Sequence, residues 1–508
     1  MATSVETRVL NPNMPSDGVV ARRWLPYTIV FLAALAAFCV VHVLRPVPAF
    51  PYDDPYIDLH SAQVLHAGFD SSYPGVPALF GVTSAPFVGL IYLLLFVLSP
   101  LQALDTACWI GILFYALGLV RLARVLELRS REQWLLIFIG LACAPIPVHL
   151  LNGLETSCAL ASITWTLCLA AGSRRGWLGG AFLAGVSACL RPDLLPFAFL
   201  LVAWLAWQTL RLPSKSKDGL IPVFALSLAM AAPVFLNVFW YFHLTGSPIP
   251  LTGVAKRYFF AEDHWPLIRR LHVETSQIIL FVAAIGPLAL TFLRLGKSSL
   301  GKALLAVWIL FVAALFAQFP GEFDVNEFRY PVVLIPTLLW GLGSMVKNTE
   351  PPQRRQVERL MRICAAYAAL MLPVCFYFYS GERTFFDLGP REVTTWCQQH
   401  LAPGTSILVH DAGYLAYSTD FRTIDFVGLK TPSAIAVNRQ YTWTSAGKDR
   451  ALTVSNIASE SGSRYLILNS HWWPVVSLPG ELRSLGWKLE LLDTAGAFRI
   501  YRITAPAA

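Results

Sequence analysis

The chain has 508 residues, of which 56% are hydrophobic and 14% charged, and its mean hydropathy is +0.55. This composition excludes a soluble globular protein of this size and predicts a polytopic membrane protein. The net charge of +8 does not indicate nucleic-acid binding, because the basic residues cluster beside apolar runs, where they act as topology anchors.

The first apolar run, residues 24–44, has no charged residue and is about as long as the roughly 20 residues that a bilayer core requires. Arg22 and Arg23 precede it, so residues 1–23 are predicted to be a cytoplasmic tail. No A-x-A-like cleavage site follows the run, which favours an uncleaved anchor. Residues 45–104 are then predicted to form the first outer loop, on the far side of the membrane.

Two adjacent acids, Asp53 and Asp54, open this loop at the predicted boundary between lipid and water. Asp54 precedes Pro55, an arrangement typical of a helix start with Asp as N-cap and Pro at the first helical position. The predicted helix runs to about residue 66, and Gly68 closes it. Asp53 cannot cap the same helix in this way, so we expect its carboxylate to face a cavity. Beside a second acid and partly shielded from water, it should have a raised proton affinity, which suits a general base.

Residues 87–99 form a short apolar run between two prolines, which is typical of an interfacial helix rather than a span. We expect this helix to help form a groove that admits a lipid chain. If the run does not cross, the next one ends beside Arg121 and Arg124 on the cytoplasmic side, as the positive-inside rule requires. If successive apolar runs then cross the membrane alternately outward and inward, the chain has about eleven transmembrane helices. Their predicted bounds are 24–44, 105–120, 134–150, 157–172, 177–190, 194–210, 220–242, 277–293, 303–319, 331–346 and 363–379.

Residues 24–379 are predicted to form the transmembrane domain. The composition changes after residue 379, and residues 380–508 are predicted to form a small α/β domain outside the membrane. A helix is predicted at 390–401, and β-branched or alternating runs predict strands at 406–409, 465–468 and 498–503. The aromatic residues of this tail either bind a glycan or form the core of the domain. They are Trp443, Trp472, Trp473, Tyr414, Tyr417 and Tyr441.

The charge-based topology places many ionisable residues at outer ends of spans or in outer loops. Groups at such depths are costly unless they line a wet cavity or pair with one another, which makes them functional candidates. These residues are Asp53, Asp54, Glu155, Arg191, Asp193, Lys256, Arg257, Glu327 and Arg329. Glu155 and Arg191 could instead pair for rigidity, and Lys256 and Arg257 could be ordinary solvated loop residues.

Several short motifs follow one another along the chain. They are Asp53-Asp54-Pro55-Tyr56-Ile57, Tyr73-Pro74-Gly75, Gly81-Val82-Thr83-Ser84-Ala85-Pro86, Asn152-Gly153-Leu154-Glu155-Thr156, Arg191-Pro192-Asp193, Phe328-Arg329-Tyr330-Pro331 and the tail segments 410–420 and 424–429. Together they resemble the GT-C glycosyltransferases, in particular the AftB-like arabinofuranosyltransferase group. His410 and Pro55 depart from the pattern of that group, and one extra residue precedes Pro86.

The resemblance implies a polytopic α-helical GT-C fold, with interfacial helices in the first outer loop and a small C-terminal extracytoplasmic α/β domain. It implies an inverting glycosyltransferase of the bacterial inner membrane. The enzyme would move a sugar from a polyprenyl-phosphate donor to a cell-envelope glycan or lipid acceptor on the periplasmic side.

Residue roles follow from the same resemblance. Asp53, or in second place Asp54, would remove the proton from the acceptor hydroxyl. The cationic candidates for the donor phosphate are Arg191, Lys256, Arg257 and Arg329. Supporting cavity residues are Tyr56, Thr83, Ser84, Glu155, Asp193, Tyr330 and Asp411.

Other functions stay open at this stage. A transporter or flippase of lipid-linked sugars also places charges at span ends, but it should show a repeat between its halves, and none is evident. A polymerase of lipid-linked repeat units fits the large outer loop and tail. No cofactor is predicted; two adjacent carboxylates could hold a divalent cation, but without a third ligand no metal site is predicted.

Overall fold

The structure, a computed structural model, describes residues 17–44, 48–211, 220–347 and 351–506. Most of the predicted N-terminal tail therefore lies outside the described residues, as do Lys215 and Lys217, two basic residues that follow the predicted span 194–210. The chain divides into two compact units, residues 1–46 and 47–508. The first contains helix α1 (Asp17–Leu44), and all the remaining elements belong to the second.

The second unit is mostly helical up to residue 400. Its helices there are α2 (Asp54–Ala67), α3 (Ala85–Leu94), α4 (Pro100–Val125), α5 (Ser130–Ala142), α6 (Ile146–Leu150), α7 (Thr156–Ala171), α8 (Trp177–Leu190), α9 (Leu195–Leu210), α10 (Leu220–Thr245), α11 (Thr252–Phe260), α12 (Leu267–Ile285), α13 (Phe292–Leu295), α14 (Ser299–Gln318), α15 (Val325–Phe328), α16 (Ile335–Lys347), α17 (Pro351–Phe386) and α18 (Glu392–His400). The C-terminal segment adds α19 (Tyr414–Ser418), α20 (Pro432–Val437), α21 (Arg450–Ser461) and α22 (Leu478–Ser484).

Eight helices in the described part of the chain are long and apolar enough to cross a membrane. They are Trp24–Leu44, Pro100–Val125, Pro192–Leu210, Leu220–Thr245, Leu267–Leu295, Ser299–Gln318, Val325–Lys347 and Gln353–His400. The other three predicted spans correspond to shorter helices. The span 134–150 corresponds to α5 followed by α6, the span 157–172 to α7, and the span 177–190 to α8. The first of these is interrupted at Pro145, whose missing N–H cannot continue a helical ladder. The prediction of a multi-pass helical membrane protein is confirmed.

Helix α2 carries the acids of the first loop. Pro55 lies in its first turn, and Gly68 ends it with φ of +79°, a conformation that glycine adopts without strain. The predicted end at Gly68 is confirmed, but the predicted N-cap is wrong by one residue. Asp53 is at the N-cap position, Asp54 is the first helical residue, and the Asp53 side chain makes no capping hydrogen bond to α2. Tyr56 and Leu59 on α2 pack with Phe87, Val88 and Ile91 of α3 in one apolar core cluster, so the acids stand on a rigid element.

The C-terminal segment forms a five-stranded sheet of order β2-β1-β3-β5-β4. Its strands are β1 (Ser406–Val409), β2 (Arg422–Asp425), β3 (Tyr465–Asn469), β4 (Lys488–Ala495) and β5 (Phe498–Thr504). Strand β1 pairs in parallel with β2 and β3, whereas β5 pairs antiparallel with β3 and β4. The three predicted strands and the predicted helix at 390–401 are therefore present, within a few residues.

Side chains of the sheet alternate between two core clusters, as the two-residue period of a strand requires. Leu408 and Leu466 belong to one cluster, and Ile407 and Ile467 belong to the other. The first cluster also contains Phe259 and Phe260 from α11. The loop helix α11 is therefore built into the core of the C-terminal sheet.

Candidate active site

A cavity of about 530 Å³ lies where α2, α11 and the ends of several candidate spans meet. Its polar lining is Asp54, Asp58, Thr83, Glu155, Arg191, Asp193, Thr252, Lys256, Gln318, Glu322, Arg329 and Tyr330. Its apolar lining includes Leu195, Pro196, Ile249, Phe311, Ala314, Leu315 and Phe319. Most of the apolar residues belong to candidate spans or follow them directly, so the cavity combines ionisable groups with a lipid-like lining.

The helical period decides which acids reach this cavity. Successive residues on a helix point about 100° apart, whereas residues i and i+4 lie on one face. Asp54 and Asp58 therefore both line the cavity, and Asp53 does not. Asp58 is 7% exposed, and among the described residues none donates a hydrogen bond to its carboxylate.

Asp53 is turned toward the C-terminal segment instead. Its two carboxylate oxygens accept hydrogen bonds of 2.7 Å from the backbone N–H groups of Gly413 and Tyr414, at the start of α19. A Cβ at Gly413 would lie 2.2 Å from the carbonyl oxygen of Asp53, so the close approach needs glycine. The Asp53 carboxylate therefore does not face the 530 Å³ cavity. It lines a separate, smaller cavity of about 30 Å³, together with His410 and Asp411 of the C-terminal segment.

Burial and the nearby Asp411 raise the pKa of Asp53, although the two backbone hydrogen bonds act against this rise. Burial also acts to raise the pKa of Asp54, but Arg329 and Lys256 outweigh it and lower the pKa below its ordinary value. Burial, with Glu155 close by, raises the pKa of Asp58. On α2, therefore, Asp54 is the cavity-lining acid that is most readily ionised.

Charges of opposite sign alternate across the cavity lining. Arg329 forms ion pairs with Asp54 and, at 3.7 Å, with Glu155. Arg191 is 2% exposed and lies 3.4 Å from Glu155 and 3.0 Å from Asp193. The alternative prediction that Glu155 and Arg191 pair is confirmed, as expected for buried charges that would otherwise remain uncompensated.

Lys256 extends from α11 toward the same cavity. Its Nζ atom lies 3.6 Å from Glu322 and donates a 3.4 Å hydrogen bond to the Tyr330 hydroxyl. Burial acts to lower the pKa of Lys256, but the carboxylates of Glu322 and Asp54 outweigh it and raise the pKa. The ammonium is therefore charged, and it shares the lining of the cavity with the guanidinium groups of Arg191 and Arg329.

Besides Asp53, four further predicted site residues lie outside this cavity. Arg257 pairs with Asp263 at 2.8 Å, outside the cavity, because it is adjacent to Lys256 on α11 and faces another direction. Tyr56 is buried against the rings of Phe386 and Tyr414. Ser84 is buried without lining the cavity, and Asp411 lies beside His410 in the C-terminal segment.

The interfacial run that is predicted to help form a lipid groove does not contribute to this cavity. No residue of the interfacial run 87–99 lines the cavity. Phe87, Val88 and Ile91 are instead buried against residues of α2 and α4. The apolar lining comes instead from the starts and ends of later spans.

Two cavity acids, Asp58 and Glu322, were not among the predicted site residues. Asp58 was detectable, since it lies four residues after Asp54 on a helix that the sequence predicts. No helical spacing or motif in the sequence points to Glu322, which is marked only by its position after an apolar run. Within the described ranges, no group of three or more His, Cys, Asp or Glu residues is placed to hold a metal ion.

Comparisons with known proteins address the fold. A family model described as a domain of unknown function (DUF8728) matches residues 379–503. No curated protein matches the sequence. The crystal structure of ArnT from Cupriavidus metallidurans in the apo state matches with a TM-score of 0.53 at 13% identity, over 95% of this chain and 98% of ArnT.

The structure of the same ArnT bound to undecaprenyl phosphate matches with a TM-score of 0.51 at 12% identity, over 96% of this chain and 98% of ArnT. The arabinofuranosyltransferase AftD from Mycobacteria matches at 14% identity with a TM-score of 0.47, over 95% of this chain and 41% of AftD. The predicted GT-C fold is confirmed by the ArnT matches. The narrower resemblance to the AftB-like group stays a prediction.

Proposed function

We propose that this GT-C-fold membrane protein is an inverting glycosyltransferase. It takes a sugar from a polyprenyl-phosphate donor and transfers it to a cell-envelope glycan or lipid acceptor on the extracytoplasmic side. The observation that carries the proposal is one cavity in which Asp54, Arg329 and Lys256 meet apolar residues of candidate spans.

An amphiphilic donor fits this lining. Its phosphate requires cations, and its prenyl chain requires an apolar path toward the bilayer. The apolar lining from Phe311 to Phe319 supplies the second requirement, since most of it belongs to a candidate span. The ArnT structure of similar fold was determined with undecaprenyl phosphate bound, which supports a donor of this class.

Asp54 is the proposed general base. The acceptor hydroxyl oxygen attacks the anomeric carbon, its proton passes to the Asp54 carboxylate, and the bond from the anomeric carbon to the phosphate oxygen breaks. Attack opposite to the leaving group inverts the anomeric configuration. The lowered pKa of Asp54 keeps this carboxylate ionised and able to accept a proton at neutral pH.

Arg329 and Lys256 are the proposed phosphate ligands. The leaving polyprenyl phosphate gains negative charge as the bond breaks, and positioned cations stabilise such charge most in a site with little water. Arg329 already pairs with Asp54, so donor binding would place base and leaving-group ligand side by side. Arg191 is proposed to position Arg329 rather than to bind the phosphate. It pairs with Glu155 and donates a hydrogen bond to the Arg329 carbonyl at 3.3 Å.

The test compares two neighbouring acids in the purified full-length protein. With a radiolabelled polyprenyl-phosphate sugar and an envelope acceptor extract, Asp54→Asn should lower kcat by roughly 100-fold or more, as expected for loss of a general base. Asp53→Asn is the matched control and should keep most of the transfer, because its carboxylate contacts backbone amides outside the cavity.

The reverse ranking of these two variants would contradict the assignment of Asp54. Absence of transfer by the wild-type protein from every such donor, together with movement of the lipid across vesicles, would favour a flippase. The anomeric configuration of the product, read by NMR, tests inversion directly.

A further inference from the structure

A second cavity, of about 740 Å³, lies between α11 and the segment from α20 to Thr444. Phe80, Val254, Tyr258, Arg439, Gln440 and Trp443 are among its lining residues, and we call this cavity the α11 groove. Its volume is within the range of roughly 300–1,000 Å³ that is typical of small-ligand sites. The transfer mechanism proposed above uses none of its side chains.

Helix α11 separates the groove from the 530 Å³ cavity that contains Asp54, which we call the reaction cavity. Thr252, Gly253 and Lys256 line the reaction cavity, whereas Val254 and Tyr258 line the groove. A helix with its side chains is about 10 Å across, so the two cavities lie within reach of one oligosaccharide. A ligand in the groove is therefore placed next to the site of sugar transfer.

Aromatic rings of the groove are held in fixed positions. The rings of Tyr258 and Trp443 lie with their centroids 5.5 Å apart. The Trp443 indole N–H donates to both carboxylate oxygens of Asp263 at 3.2 Å, and Arg257 holds Asp263 at 2.8 Å. Rigid aromatic rings offer apolar surface to the C–H faces of sugar rings at little entropic cost.

The rim of the groove supplies hydrogen-bond donors. Arg439 and Gln440 are exposed, and the guanidinium of Arg439 lies 5.9 Å from the centroid of Tyr258. Within the described residues, no carboxylate forms an ion pair with Arg439, so its N–H groups are available to hydroxyl oxygens. Aromatic faces next to such donors are suited to carbohydrate, which packs its C–H faces on the rings and accepts hydrogen bonds from the rim, whereas a prenyl chain could use the rings alone.

We propose that the α11 groove binds the carbohydrate part of the acceptor, with Tyr258 and Trp443 stacking on its sugar rings. Arg439 and Gln440 contact the hydroxyl groups. The groove thereby orients the acceptor so that its reacting hydroxyl enters the cavity beside Asp54. This inference rests on the proposed glycosyltransferase function.

The experiment measures sugar transfer by full-length protein in nanodiscs while the acceptor extract, taken from a deletion strain of the source organism, is titrated. Trp443→Ala and Tyr258→Ala should each raise the apparent KM for the acceptor by about tenfold and leave the KM for the donor unchanged. Trp443→Phe should restore most of the affinity. Arg439→Ala changes an exposed side chain, so it should raise the acceptor KM without disturbing the fold.

Trp473→Ala is the matched control, because this tryptophan is 45% exposed in the same segment but does not line the groove. Its acceptor KM should equal that of the wild type. Wild-type acceptor KM values in the Tyr258, Trp443 and Arg439 variants would overturn the groove assignment and leave the proposed function intact. Absence of transfer by the wild type would overturn the proposed function, and the groove inference with it.

Discussion

Two adjacent aspartates of one motif have different surroundings. Asp54 pairs with Arg329 in the reaction cavity, whereas Asp53 accepts hydrogen bonds from the start of α19. The sequence places both acids at the start of a helix, but it does not reveal the partner on the other side. The backbone amides of Gly413 and Tyr414 come from 360 residues further along the chain, and no local pattern predicts that approach. The second cavity acid, Asp58, follows from helical spacing alone.

A buried lysine makes stability depend on pH. Lys430 donates to the Ser61 hydroxyl at 3.1 Å and to the Ala78 carbonyl at 3.2 Å, and burial lowers its pKa from 10.5 to about 8. Between these two pH values the unfolded chain binds more protons than the folded chain, so stability should rise with pH and level off above 10.5. The rise should total roughly 3 kcal/mol, at about 1.4 kcal/mol per pH unit.

The measurement is the free energy of unfolding in detergent as a function of pH. Lys430→Met should remove the rise, and Lys488→Met, which changes an exposed lysine, should keep it. Identical pH profiles for the two variants would show that Lys430 is not the group responsible.

At the scale of elements, hydrophobic runs and turn residues predict most of the architecture. Strands β1, β3 and β5 follow from β-branched runs, and α2 follows from Asp54, Pro55 and Gly68. Strand β4 lies at the edge of the sheet and is mostly exposed, so it lacks the apolar alternation that marks a half-buried strand. Helix α11 was not predicted, because its two phenylalanines are buried by a sheet that begins about 150 residues later.

The contact between α2 and α19 should depend on one glycine. Gly413→Ala would bring a methyl group to 2.2 Å from the Asp53 carbonyl oxygen, so the loop or α2 must shift. We expect a loss of about 1–3 kcal/mol in stability, as for other overpacked sites. Thermal unfolding of the purified protein measures this change.

Gly480→Ala provides the control, since a Cβ at that position in α22 would meet no atom within 4 Å. Its stability should be unchanged or slightly higher, because alanine favours a helix more than glycine does. An equal effect of both substitutions would argue against tight packing at Gly413.

For the whole molecule, the sequence predicts that the charged residues near span ends share one side of the membrane. The structure brings Asp54, Glu155, Arg191, Lys256 and Arg329 into one cavity, although they are separated by long apolar segments. Alternating spans limit these residues to one face, but only the packing of the helices decides which side chains meet. That is why Arg257, which the same reasoning predicts to be in the site, lies elsewhere.

The predicted orientation has a direct test. Alkaline phosphatase fused after residue 506 should be active in whole cells, because the C-terminal segment is predicted to be extracytoplasmic. A fusion within the predicted cytoplasmic loop, after Lys297, should be inactive, since basic residues surround that position. The opposite activity pattern would place the acid-rich cavity on the cytosolic side and remove the basis for an extracytoplasmic acceptor.

The short distance along α11 between Lys256 and Phe259 limits how the protein can be divided for study. One residue lines the cavity and the other is fully buried in the sheet core, only three positions away. A truncated protein that ends before β1 would expose Phe259 and Phe260 to solvent and release the helix that carries the ammonium group. The transmembrane part therefore cannot be isolated by deletion without disturbing α11, because the C-terminal segment holds the helix that carries Lys256 into the cavity.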